Sequence, residues 1–138
     1  GEIVSWERLA TGRYNILLKG DCRVRLAGEK PSDTLYRLVT AHRLEDVPPA
    51  ADAAPVLGRI RGACGRLLRA LDRPVDLLDT ALADGQPPGA IADRIASAVI
   101  PDADLRQELL ETLDVTQRLD RLALALDQLV NELLRGRE

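Results

Sequence analysis

The segment Thr11–Leu26, TGRYNILLKGDCRVRL, sets the fold class of the first third of the chain. Tyr14, Ile16 and Leu18 alternate with Asn15, Leu17 and Lys19, and both sets are partly apolar, as in a barrel strand covered on both sides. Gly20-Asp21 reads as a turn, since glycine takes positive φ at no steric cost. Cys22, Val24 and Leu26 then alternate with Arg23 and Arg25, which predicts one buried face and one wet face. The segment thus reads as a β-hairpin turning at Gly20-Asp21.

Working outward, Ile3–Trp6 is a short apolar strand, Lys30–Asp33 a loop and Leu35–Leu44 a last strand. Pro48-Pro49-Ala50-Ala51-Asp52 is a linker, and beyond it the period becomes helical. Val56, Leu57, Ile60, Cys64, Leu67, Leu68 and Leu71 follow i, i+3, i+4 spacing, with Pro55 suited to a first turn and Pro74 ending or kinking the helix. A short helix is expected over Val75–Ala83. Ile91, Ile95 and Val99 mark another that Pro101 stops. Asp102 reads as an N-cap for a helix through Leu105, Leu109 and Leu110, and Asp114 as a second cap or a kink. Val115, Leu119, Leu122, Leu126, Leu129 and Leu133 then define a long amphipathic helix. The expected architecture is α+β: an incomplete antiparallel β-barrel portion over residues 1–49, then a helical bundle of about five helices over residues 50–138.

Composition narrows the function classes. With no Phe and 2% aromatic residues, Leu, Val, Ile and Ala must build the core. Residues 1–46 carry eight basic and seven acidic groups and residues 47–138 eleven and fifteen, matching the net charge of −3, so neither half has the footprint of a nucleic-acid binder. Cys22 and Cys64 lack CxxC spacing and read as reduced, buried thiols of a cytoplasmic protein. No apolar run approaches the roughly 18 residues of a membrane span.

Catalytic chemistry is not expected. The single histidine, His42, excludes HExxH and multi-His metal sites, and no GxxxxGK[ST] loop is present. Ser5, Ser32 and Ser97 have only Lys19 and Lys30 as lysine partners, which does not suggest a Ser-Lys dyad. Asp76, Asp79, Asp102, Asp104, Glu108 and Glu111 suit first helical turns and exposed faces better than acid–base work. Arg59, Arg66, Arg69 and Arg73 share one helical stripe, a docking surface for an acidic partner or a solvated face pairing with neighbouring carboxylates. Gly58, Gly62 and Gly65 lie near that stripe and are expected to let another element approach closely. No catalytic, cofactor-binding or metal-ligating residue is assigned.

Five segments carry a resemblance. Gly12-Arg13-Tyr14, Tyr36-Arg37, Leu44-Glu45-Asp46-Val47-Pro48, IADRIASAV (Ile91–Val99) and RQELLETLDVTQRL (Arg106–Leu119) are similar, in order and spacing, to the Lon protease N-terminal domain family. The resemblance implies a PUA-like β-barrel joined to a helical bundle, a bacterial protein-quality-control module that recruits unfolded or tagged proteins to an attached ATPase and Ser-Lys protease. It covers neither of those modules. It also implies that this chain is the later part of the domain, from a full protease or a stand-alone protein. Missing early strands would then leave unpaired edges beside Ile3–Trp6 or Leu35–Leu44 and favour self-association. Recruitment of unfolded chains needs exposed apolar surface or an open strand edge, which places the candidate polypeptide-binding residues at Trp6, Leu9 and Tyr36. The expected partners are therefore protein substrates, with no cofactor, nucleic acid or membrane. Two rivals are an oligomerisation module using Leu119 through Leu133 as its seam, and RNA binding by analogy with PUA domains.

Overall fold

The computed structural model describes residues 1–75 and 85–136. The chain divides into two compact units, Gly1–Glu45 and Asp46–Glu138.

The first unit holds two antiparallel ribbons. Strand β1 (Glu2–Arg8) pairs with β2 (Tyr14–Lys19), and β3 (Arg23–Lys30) with β4 (Leu38–Leu44). The α+β class holds, with no closed barrel among the described residues. The hairpin turn is not where the sequence suggested. Strand β2 pairs back onto β1, and Gly20 does not take positive φ. The turn is instead the three-residue loop Ala10-Thr11-Gly12, with Gly12 at φ 78°. Gly12 N–H donates to the Leu9 carbonyl at 3.0 Å and Leu9 N–H to the Arg13 carbonyl at 2.8 Å. A three-residue loop closes β1 on β2 with little entropy loss, and glycine supplies its left-handed residue. In the second ribbon the register slips between Leu26 and Gly28, and Gly28 takes φ 151° there.

The double-sided cover expected for β2 is absent, as is the buried face expected for Val24 and Leu26. All residues of β1 and β2 are exposed, as are Val24 and Leu26. A two-stranded ribbon has no second layer to bury either face.

The second unit contains α1 (Ala54–Ala70), α2 (Pro88–Val99), α3 (Ala103–Glu111) and α4 (Val115–Arg135). Apart from Val75, the helix expected over Val75–Ala83 lies outside the described residues. Helices α1 and α4 form the main packed pair. Ile60, Ala63 and Cys64 from α1 meet Leu119, Leu122, Ala123 and Leu126 from α4, with Ile91, Ala92 and Ile95 of α2 completing an aliphatic core. Each fully buried Leu or Ile contributes roughly 1.5–3 kcal/mol of apolar transfer, and the alternating three- and four-residue steps put all of them on one face.

Caps mark the helix ends. Asp102 accepts from Asp104 N–H at 2.9 Å, and Asp114 accepts from Gln117 N–H at 3.0 Å, so Asp114 is a cap. Helix α1 closes in a Schellman arrangement: Arg73 N–H donates to the Leu68 carbonyl at 2.8 Å and Asp72 N–H to the Arg69 carbonyl at 3.2 Å. Asp72 takes φ 53° to do so, and Pro74 follows.

Three further expectations change. Leu119, Leu122 and Leu126 are fully buried in the chain's own core and cannot serve as a seam to another subunit. Cys22 is exposed, in the link between β2 and β3, and Cys64 is buried. Gly58 has open space around its Cα, and at Gly62 and Gly65 a Cβ would meet nothing nearer than an arginine guanidinium at 3.6 Å, so these glycines admit no close approach. In the arginine stripe, Arg66 and Arg59 bridge to Asp127 of α4 at 2.8 and 3.5 Å, half-exposed pairings within the molecule.

Candidate functional site

Cross-strand partners share a face, so the β1–β2 register sorts the ribbon. Ile3 opposes Leu18, Trp6 opposes Ile16, and Arg8 opposes Tyr14. One face therefore gathers Ile3, Trp6, Tyr14, Ile16 and Leu18, with Arg8 at its end opposite Tyr14. The other carries Glu2, Ser5, Glu7, Asn15 and Lys19, with Leu17 as its apolar member. Trp6 and Tyr14 stand edge to face, ring centroids 5.8 Å apart at 64°, a favoured aromatic geometry. Trp6 remains 67% exposed.

The three predicted residues fare differently. Trp6 lies in the middle of this apolar face. Leu9 is half-buried at the ribbon's end, its backbone N–H and carbonyl engaged in the turn. Tyr36 belongs to the other ribbon, in the loop before β4, and is 66% exposed beside the fully exposed Leu35. That loop is held by its own polar groups: Thr34 hydroxyl donates to the Tyr36 carbonyl at 2.7 Å, and Arg37 clamps Glu29 with two bonds of 2.8 and 2.9 Å. The Arg37 guanidinium holds the Glu29 carboxyl below its ordinary value. Tyr14, Ile16 and Leu18 join Trp6 although the sequence places them on a barrel strand covered on both sides. The strand alternation already grouped them; the missing piece was which strand they pair with.

The second unit contains a different constellation. Arg118 is 1% exposed and uses all five guanidinium donors. Nε and Nη2 donate to the Thr112 carbonyl at 2.9 and 2.7 Å. Nη2 and Nη1 also grip Asp46 at 2.6 and 3.0 Å, and Nη1 reaches Asp93 at 3.3 Å. Beside this cluster, Val47 N–H donates to the Leu113 carbonyl at 2.9 Å and Val115 N–H to the Val47 carbonyl at 3.0 Å, a short parallel bridge. Gly89 makes room for it, since a Cβ there would stand 2.8 Å from Asp46 Oδ2 and 3.2 Å from Arg118 Nη1. Arg118 follows Val115 by three residues and precedes Leu122 by four, so helical spacing alone marks it as a buried charge requiring partners.

Residues 1–128 match the model of the ATP-dependent protease La (LON) substrate-binding domain. The chain belongs to the Lon substrate-binding domain family. Lon protease of Paraburkholderia phytofirmans is 36% identical over 151 aligned positions, covering 91% of this chain and 17% of that protein. Lon protease 2 of Bdellovibrio bacteriovorus is 32% identical over 136 positions, covering 96% of this chain and 16% of that protein. The chain thus spans about a sixth of the length of these Lon proteases.

Three of the Lon-like segments converge on Arg118: the strand exit supplies Asp46 and Val47, IADRIASAV supplies Asp93, and RQELLETLDVTQRL supplies Thr112, Asp114 and Arg118. No cluster of His, Cys, Asp or Glu suited to a metal ion occurs among the described residues, and no helix among them is long and apolar enough to cross a membrane.

Proposed function

We propose that this chain is a non-enzymatic recognition domain that binds unfolded polypeptide through the apolar face of the β1–β2 ribbon. Trp6 is the central contact, flanked by Tyr14 and Ile16, with Tyr36 as a second, separate anchor. The observation that carries the reading is an exposed aromatic–aliphatic face on a member of the Lon substrate-binding family. A misfolded client offers apolar side chains and unsatisfied extended backbone. An exposed face of Trp, Tyr, Ile and Leu gains from burying the former. The open outer edges of the ribbon strands can pair with the latter. Tyr and Trp give large contact area at small conformational cost, which suits weak binding of many sequences.

The test is titration of fluorescein-labelled, unfolded casein with this chain, followed by anisotropy. Saturable binding is expected, weakened several-fold by Trp6→Ala, with the far-UV circular dichroism of the bundle unchanged. A wild-type titration without saturation would sink the proposal. A Trp6→Ala variant that binds like wild type would move the site off this face.

A further inference from the structure

The register of the β3–β4 ribbon sorts its charges onto one side. Arg25 pairs with His42, Gly28 with Thr40 and Lys30 with Leu38. Strict alternation would put Lys30 with Val24 and Leu26. The slip between Leu26 and Gly28 inserts one residue and brings Lys30 round to the side of Arg25. That side therefore holds Arg25, Lys30 and His42, all exposed, and no carboxylate at its strand positions. Arg23 lies there too, already engaged within the molecule. Glu29, the one acidic residue of β3 and β4, lies on the opposite side, clamped by Arg37. Asp21, just before β3, pairs with the Gly1 amino group at 3.4 Å. Among the described residues, the side chains of Arg25, Lys30 and His42 have no hydrogen-bond or ion-pair partner.

We propose that this side of the β3–β4 ribbon binds an extended, acidic stretch of polypeptide, with carboxylates on Arg25 and Lys30. Charge complementarity selects the partner, since cations without a counterion gain most from a charge-assisted bond to an anion. Spacing selects its conformation. His42 and Leu38, the cross-strand partners of the two cations, are four residues apart on β4, so Arg25 and Lys30 stand roughly 13 Å apart along the strand. An extended chain presents residues i and i+4 on one side at that distance, whereas a helix brings them within about 6 Å. Between the cations, a Cβ at Gly28 would meet nothing within 4 Å, which leaves the middle of this side open to the partner's intervening side chain. Nucleic acid fits less well. A phosphate backbone is held by many cations at once, and residues 1–46 balance eight basic groups with seven acidic ones. The surface belongs to a different ribbon from Trp6, so it stands or falls separately from the apolar face.

Anisotropy titrations with the full chain at low salt test it, using three fluorescein-labelled probes. One is a Ser/Thr peptide with Glu at every fourth position, the second has Gln in place of each Glu, and the third is a single-stranded oligodeoxythymidine of the same charge. The Glu peptide should bind saturably and the Gln peptide should not. Arg25→Glu and Lys30→Glu should each weaken Glu-peptide binding by about fivefold or more. Arg43→Glu makes the same charge change on the opposite side, beside Val24, and should leave binding within about twofold, as should Trp6→Ala. Absence of saturation with the Glu peptide would overturn the proposal. So would an equal loss in Arg43→Glu, which would reduce the effect to net charge, or in Trp6→Ala, which would move the peptide to the other ribbon. Tighter binding of the oligonucleotide than of the Glu peptide would assign this side to nucleic acid and overturn the polypeptide reading.

Discussion

Two glycines separated by thirty residues should respond to the same substitution with opposite sign. Gly58 sits inside α1, exposed, and a Cβ there meets nothing within 4 Å. Alanine at an exposed helix interior is favoured over glycine by roughly 1 kcal/mol through reduced backbone entropy in the unfolded chain. Gly89 sits in the first turn of α2, and its Cβ would stand 2.8 Å from Asp46 Oδ2 and 3.2 Å from both Arg118 Nη1 and Val115 Cγ2. Real Cβ atoms do not approach so closely, so Asp46 or α2 must shift. Overpacking of this kind costs about 1–3 kcal/mol, more than the helix-propensity gain of at most ~1 kcal/mol offsets. For a unit of 60–100 residues each kcal/mol moves Tm by about 4–8 °C. Gly58→Ala should therefore raise the bundle's Tm by several degrees and Gly89→Ala should lower it, read by far-UV circular dichroism. Urea midpoints should move in the same directions with unchanged slope. If Gly89→Ala were neutral or stabilising, the close approach of Asp46 and Arg118 to α2 would be wrong.

Cysteine chemistry supplies a second prediction. A thiol reagent should modify Cys22 at once in the folded protein and Cys64 only on unfolding, since Cys22 is exposed and Cys64 buried. Burial pushes the Cys64 thiol from the ordinary 9.0 up to about 11. The native state therefore keeps a proton that the unfolded chain gives up above pH 9, and stability falls as pH rises from about 9 towards 11. The loss reaches about 2–3 kcal/mol, and urea melts across that range should show a shallower slope in Cys64→Ala. A third prediction concerns the cap on α4. Asp114→Ala should cost about 1 kcal/mol in urea denaturation and Asp114→Ser should restore most of it; equal stability of all three would refute the cap.

The helical half was largely legible because helix periodicity and capping are local. Val115, Leu119, Leu122 and Leu126 mark their own buried face, and Asp102 and Asp114 announce the helix starts. Strand pairing is a long-range choice, and there the expectation failed. Gly20-Asp21 and Ala10-Thr11-Gly12 both look like turns, and alternation along Tyr14–Lys19 does not say which neighbour it meets. Exposure was misjudged for the same reason, since alternation identifies a face without saying whether anything covers it. Arg118 was missed differently. Its place on an apolar stripe was visible, but its partners lie 72 and 25 residues away, and such separations leave no local trace. The glycines of α1 misled by proximity to an arginine stripe that turns out to be solvated.

The distribution of aromatic rings has a practical consequence. Trp6, Tyr14 and Tyr36 all belong to Gly1–Glu45, while Asp46–Glu138 contains no aromatic residue and carries the helices. Ultraviolet emission thus originates in the strand ribbons, and the helical dichroism signal in the bundle. Each half of the molecule has its own optical channel without any label. A heat or denaturant ramp recorded in both would reveal directly whether the two units melt together or in sequence.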